Sequence, residues 1–340
     1  MRIVTSRSAA IDALRVVGTI AIVAGHTWDI PLVRASIYSW HVPIFFFLTG
    51  YLWRARVRTP GAEAKNRART LLLPYAAWLA LITLLALALG LAGQPQGLDL
   101  RALQPILLGG HYVGKPFSAF WFVTALFVVA VALRILERGP RWLPWASAVV
   151  LLTVAYSTHG ALAAIPEAIG TGLACLVFVM AGIVFRRSRD RFSRPVITGV
   201  VLLVVCAILI ATGFSSLVDL KAADFGTPVL SVATAIAISI ALLLLAEVLV
   251  PKLSQRIQAG LTQLAQVSLM VVLTHSAVLW LMRTPPFGST VPPFGLTITF
   301  LVALLAPWAA ALVLARTPLS PILIGIPQRP ISRARTAHGR

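Results

Sequence analysis

The feature that most constrains this 340-residue chain is a series of apolar runs, each about a bilayer wide, repeated from one end to the other. A hydrocarbon core of about 30 Å takes around 20 mostly apolar residues per helical span. The runs fall near 9–29, 36–53, 70–91, 119–137 and 142–158, then near 166–185, 196–214, 227–250, 262–282 and 294–315. They predict an all-α fold, a polytopic transmembrane helical bundle of about ten spanning helices in one domain over residues 1–317. Several runs contain Gly or Pro, which bilayer helices tolerate when neighbours satisfy the freed backbone groups. Charged residues make up only 11% of the chain, against about 25% in a soluble domain. There is too little polar surface to cover a water-facing globule.

The net charge of +19 raises nucleic acid as a partner, but the placement of the charge argues against it. A nucleic-acid face needs a contiguous basic stripe interleaved with aromatics, whereas here the basic residues sit in short clusters between apolar runs. One set of loops holds Arg2 and Arg7, Arg54 to Arg69, Arg138 and Arg141, Arg186 to Arg194, Lys252 and Arg256, and Arg316 to Arg340. That set contains 22 of the 29 basic residues. The other set holds Arg34, Arg101, Lys115, Lys221 and Arg283. The positive-inside rule assigns the richer side to the cytoplasm, so both termini are expected there. Anionic membrane lipids are partners of that side.

Three further segments complete the organisation. The long connection 92–118 is rich in Gly and Pro, and its apolar stretch Leu103–Leu108 is too short to span, which fits a re-entrant segment roofing a cavity. Residues 318–340 form a basic cytoplasmic tail, expected to be disordered or to lie on the lipid surface. At the N-terminus, Asp12 and Arg15 interrupt the apolar run and no small-residue cleavage pattern follows, so the first run is expected to stay in the mature protein. Cys175 and Cys206 lie in separate runs without metal-ligand spacing and read as small apolar fillers.

Ionisable residues at membrane depth are expensive and usually face a polar cavity or a partner. The first run holds Asp12, Arg15 and His26. Arg15 and His26 are about three helical turns apart, so they share one face, and Asp12 is spaced to pair with Arg15. His41 opens the second run on the side where His26 also lies. These groups are expected to line one polar shaft, with Arg15 toward the cytoplasm. Snorkelling of Arg15 to the interface and a merely hydrogen-bonded His26 are the structural alternatives.

The stretch IDALRVVGTIAIVAGHTWD, with ten residues between Arg15 and His26, resembles the signature of the acyltransferase 3 family of membrane acyltransferases. SWHVPIFFFLTGYLW resembles the second-helix motif of its fucose 4-O-acetylase-like branch, with Thr49 in place of the usual Ser. NRARTLLLPYAAW, AFWFVTALF and SLMVVLTHSAVL follow in order on the expected helices.

The resemblance implies transfer of an acyl group, usually acetyl, from cytoplasmic acyl-CoA to a hydroxyl of a surface glycan or lipid-linked saccharide. It also implies a multi-pass protein of the cell membrane, the cytoplasmic membrane of a bacterium. No permanently bound cofactor is expected; acetyl-CoA or another acyl-CoA is the donor substrate. Such chemistry needs a base for the hydroxyl proton, donors or positive charge for the oxyanion and an anion site for the CoA phosphates. His26 is the candidate base, or a transient acyl carrier. Arg15, Arg67 and Arg69 are candidates for the phosphates, since guanidinium forks suit them. His41, Asp29, Trp121 and His275 are candidates for orienting His26 or binding the acceptor. Trp121 also fits an interfacial anchor. HExxH, GxSxG, Walker and Rossmann patterns are absent, so no metal ligands are assigned. The alternative from another class is a transporter or exporter of a small or lipid-linked molecule, in which the same buried groups relay protons or bind the solute. The lack of an internal repeat disfavours the common carrier folds.

Overall fold

Helices follow the apolar runs, and proline and glycine decide where each run bends. The computed structural model describes residues 8–95, 97–158, 160–282 and 294–328. The first half contains α1 (Ala9–Thr27), α2 (Pro31–Tyr38), α3 (Pro43–Tyr51), α4 (Pro60–Arg67), α5 (Leu73–Leu91), α6 (Leu103–Leu108), α7 (Phe120–Leu136) and α8 (Leu143–Ser157). The second contains α9 (Ile169–Ala174), α10 (Leu176–Ser188), α11 (Pro195–Ala211), α12 (Leu230–Leu249), α13 (Gln255–Met282), α14 (Phe294–Leu314) and α15 (Ser320–Leu323). Among the described residues there is no strand, only an isolated bridge between Asp219 and Asp224.

All the expected runs are helical, but not all as single straight spans. Among the described residues, five helical stretches are long and apolar enough to cross a bilayer alone: Ala9–Thr27, Pro60–Leu91, Leu230–Lys252, Gln255–Met282 and Gly295–Leu314. The pair α9 and α10 makes a sixth, bent by 41°. Helices α7, α8 and α11 are apolar but shorter. The run expected over 36–53 is split into α2 and α3, because Pro43 has no N–H and its ring crowds the carbonyl four residues back. His41 therefore lies in the turn at 39–42 rather than inside a helix.

The basic segment after α3 also departs from the expected loop. Thr59 Oγ1 accepts from the backbone N–H of Ala62 and starts α4, and a π-turn over Ala68–Leu72 joins α4 to α5. Pro74 explains the π-turn: it cannot donate to the carbonyl of Thr70, so the backbone widens by one residue.

Helix α1 is central and packs against α13, α12 and α14. Helix α3 crosses α10 with the two backbones almost touching. A Cβ on Gly50 would run into the carbonyl oxygen of Val179, and one on Gly182 into that of Phe47. Small residues at such a crossing give the van der Waals contact that holds helices together in lipid, where the hydrophobic effect offers little.

The basic connections meet at one end of the bundle. Arg189 Nε pairs with Glu247 at 2.5 Å, and Tyr51 Oη donates to the same carboxylate at 2.7 Å. Of the tail expected to be disordered, the described part is packed. Ser320 and Ile324 are buried, and Trp78 Nε1 donates to the Leu323 carbonyl at 2.8 Å. Arg2, Arg7, Arg283 and the arginines from Arg329 onward lie outside the described residues.

Candidate active site

Arg15, Gly18, Ile22 and His26 follow one another at helical spacing and so form a row along one face of α1. The two ends of the row open into different cavities. At the basic end a cavity of about 350 Å³ is lined by Arg15, Arg54, Arg58, Glu63, Arg67 and Arg134. At the other end a cavity of about 100 Å³ is lined by His26, Tyr38, His41, Trp121, Asp219 and Lys221. The two have no lining residue in common. The single polar shaft expected from the sequence is thus corrected to two chambers strung along one helix face.

An aromatic ring fills the interval. On α3, Val42 lines the His26 chamber and Thr49 the Arg15 chamber. Phe45 lies between them, at helical spacing from both. Its ring edge rests against Gly18, where a Cβ would come within 2.8 Å of it. It also meets Phe122, a wall of the His26 chamber, edge to face with centroids 5.2 Å apart.

The basic chamber is organised around Arg134, which is 5% exposed. Its guanidinium pairs with Glu63 at 3.4 Å and Glu137 at 2.8 Å, donates to the Arg54 carbonyl at 3.1 Å, and lies over the Trp53 ring at 4.0 Å. Glu63, also buried, takes Arg67 Nε at 2.9 Å and Arg58 at 3.5 Å. Arg15 is 35% exposed and pairs with Asp12 at 3.4 Å, as its spacing predicts. Five arginines thus share the chamber with one carboxylate, a surplus suited to an anion. Of the two arginines assigned to phosphates, Arg67 lines this chamber. Arg69, in the π-turn, is exposed and does not. Two residues apart on a continuous helical stretch, Arg67 and Arg69 face different ways.

Of the two histidines beside His26, His41 lines its chamber and His275 lies behind the wall; both are held by backbone. His41 Nδ1 donates to the Ile37 carbonyl at 2.9 Å, and His275 Nδ1 to that of Val271 at 2.9 Å. A carbonyl only accepts, so in the neutral ring each Nε2 is left as an acceptor. His275 is fully buried, its Nε2 has no partner, and its ring centroid is 5.3 Å from that of His26. Ser276, next to it, is hydrogen-bonded to Ser118. The roof comes from two connections, tied together where Lys221 Nζ donates to the Val113 carbonyl. Burial holds the Lys221 ammonium below the usual lysine range.

Asp29 does not reach this chamber. It is 73% exposed and pairs with Arg34 at 3.3 Å; Arg34 covers the Tyr38 ring, and Tyr38 meets His41 at 4.9 Å. The carboxylate in the wall is Asp219. Sequence reading missed Tyr38, at the end of α2, and Asp219 and Lys221, in the connection between α11 and α12, where no local signal marks them. Arg134 and Glu63 were also missed, although a lone arginine inside an apolar run is itself a signal.

A family model described as an acyltransferase domain, Acyl_transf_3, matches residues 8–312. The chain belongs to the acyltransferase 3 family. The match runs from the residue before α1 almost to the end of α14, so both chambers lie inside the family domain. Its apolar helices and its family together mark it as a membrane protein. Comparison with curated proteins and with solved structures found no match.

Proposed function

We propose that this member of the acyltransferase 3 family moves an acyl group, most simply acetyl, from acyl-CoA on the cytoplasmic side to a hydroxyl of a glycan or lipid-linked saccharide on the other side. In this reading it crosses the membrane about ten times, with both termini inside, and belongs with the fucose 4-O-acetylase-like branch. The observation that supports the reading is the row on α1. An arginine-rich chamber meets one end, and a chamber holding His26 with aromatic and carboxylate walls meets the other.

Arg15, Arg67 and Arg134 offer the anion site for the donor. Trp121 and Tyr38 offer flat faces, and Asp219 offers a carboxylate, for a polyhydroxylated acceptor. His26 takes the proton of the acceptor hydroxyl, and the oxygen attacks the thioester carbonyl. The C–S bond breaks, and the CoA thiolate receives the proton from His26. Lys221 and the acceptor nitrogens of His41 and His275 orient the groups around that centre. The unpartnered Nε2 of His275 suits a donor that arrives with the substrate or through His26.

The test is transfer of labelled acetyl from acetyl-CoA to host glycan by purified protein in bilayer discs. His26→Ala is expected to abolish transfer while insertion and CoA binding persist. Full transfer by that variant would remove His26 from the chemistry. Mass spectrometry of surface glycans with and without the gene is expected to show one lost acetyl increment.

A further inference from the structure

A third space at the basic end is not used by this mechanism. Between the ends of α3, α7 and α10 and the start of α8 lies a cavity of about 1030 Å³, walled in part by Trp53, Trp145 and Met180. Arg56, Arg141, Arg186 and Arg187 also line it. Arg186 is anchored, its Nη1 donating to the Trp53 carbonyl at 2.8 Å. The wall carboxylate, Glu137, is already taken by Arg134 at 2.8 Å and by Trp53 Nε1 at 2.6 Å. Arg141 and Arg187 have no hydrogen-bond or ion-pair partner among the described residues. Cations without a partner around a cavity favour a multiply charged anion, and indole walls favour a flat heteroaromatic ring.

This lobe adjoins the Arg15 chamber. Trp53 lines both. A small cavity beside them shares Arg58 and Arg134 with the Arg15 chamber, and Arg56 and Glu137 with the lobe. Together these neighbouring spaces line the basic end from Arg187 to Arg15.

We propose that the lobe seats the adenosine 3′,5′-phosphate end of the donor, with its pantetheine arm passing Trp53 into the Arg15 chamber. The proposal rests on acyl-CoA being the donor. A phospholipid headgroup shares the phosphate but brings no ring for the two indoles.

The experiment measures binding to the full chain in bilayer discs, using three probes: CoA, adenosine 3′,5′-bisphosphate and S-acetyl-phosphopantetheine. Arg187→Gln and Trp145→Leu change residues at the protein surface, and thermal melting checks that the fold is kept. Each is expected to weaken CoA and the bisphosphate about tenfold or more and to leave the phosphopantetheine unchanged. Unchanged bisphosphate affinity in both variants overturns the proposal while leaving CoA as donor. So does loss of bound phosphatidylglycerol from Arg187→Gln with CoA affinity intact. A wild-type protein that binds none of the three probes ends the donor assignment itself, and the proposal with it.

Discussion

The ring of Phe45 occupies the space that a side chain on Gly18 would need, with Cε2 and Cζ each 2.8 Å from where that Cβ would lie. This contact sits on the α1 row between Arg15 and His26, and it separates the two chambers. In the proposed mechanism a thioester entering from the basic end passes this ring to reach His26. The ring is also packed edge to face against Phe122, so a path between the chambers requires the Phe45 side chain to turn.

Phe45→Ala is expected to join the chambers. Hydrolysis of acetyl-CoA without acceptor should then rise above the wild-type rate, because water reaches the thioester. A hydrolysis rate equal to wild type would mean that Phe45 is no barrier. Gly18→Ala pushes in the opposite sense, overpacking the ring at a cost of about 1–3 kcal/mol; thermal melting in detergent measures it.

Arg134 is the stability hub of the basic end. Arg134→Met leaves Glu63, itself 2% exposed, beside fewer positive partners. Breaking one side of a buried ion pair costs about 3–5 kcal/mol, so the variant should unfold at markedly lower denaturant. Adding Glu137→Gln to it should recover part of the loss, because Glu63 keeps Arg58 and Arg67 while Glu137 loses its ion-pair partner among the described residues.

Helical spacing separates two arginines that look alike in sequence, Arg67 lining the chamber and Arg69 facing out. Arg67→Gln should raise the KM for acyl-CoA by about tenfold, the loss of one charge-assisted contact. Arg69→Gln should leave KM within about twofold, since an exposed charge outside the cavity contributes little. Equal effects from the two would contradict the placement of Arg67 in the chamber.

Lys221 predicts a pH dependence. Its folded-state pKa is lowered by burial, so the unfolded chain binds more protons between the folded and the ordinary lysine values. Stability therefore rises with pH across that window. Comparing the melting temperature of wild type with that of Lys221→Met should show the wild type gaining on the variant as pH climbs from neutral toward the ordinary lysine range. A constant difference would show that the ammonium is not held in a desolvated place.

Much of this molecule was legible from residue order alone. Arg15 and His26 could be placed on one helix face because helical spacing is local, and the pairing of Arg15 with Asp12 followed from the same rule. Trp121 and His41 could be matched to the His26 side by the alternation of loops. Asp29 misled, since nearness in sequence to His26 put it in a solvent-facing pair with Arg34 instead. Arg69 misled because the basic segment was read as a loop; once it is helical, residues two apart face different ways.

Residue order determined the all-helical, membrane-embedded class, since runs of apolar side chains and the backbone's need for internal hydrogen bonds allow nothing else at that composition. Tertiary packing alone decided that the polar path is two chambers and not one. That outcome depends on a phenylalanine of α3 lying against a glycine of α1. It also depends on Asp219 and Lys221 arriving from a connection nearly two hundred residues downstream of His26. Such long-range meetings are set by which helix faces fit one another, and a periodic pattern within one segment carries no record of its neighbours.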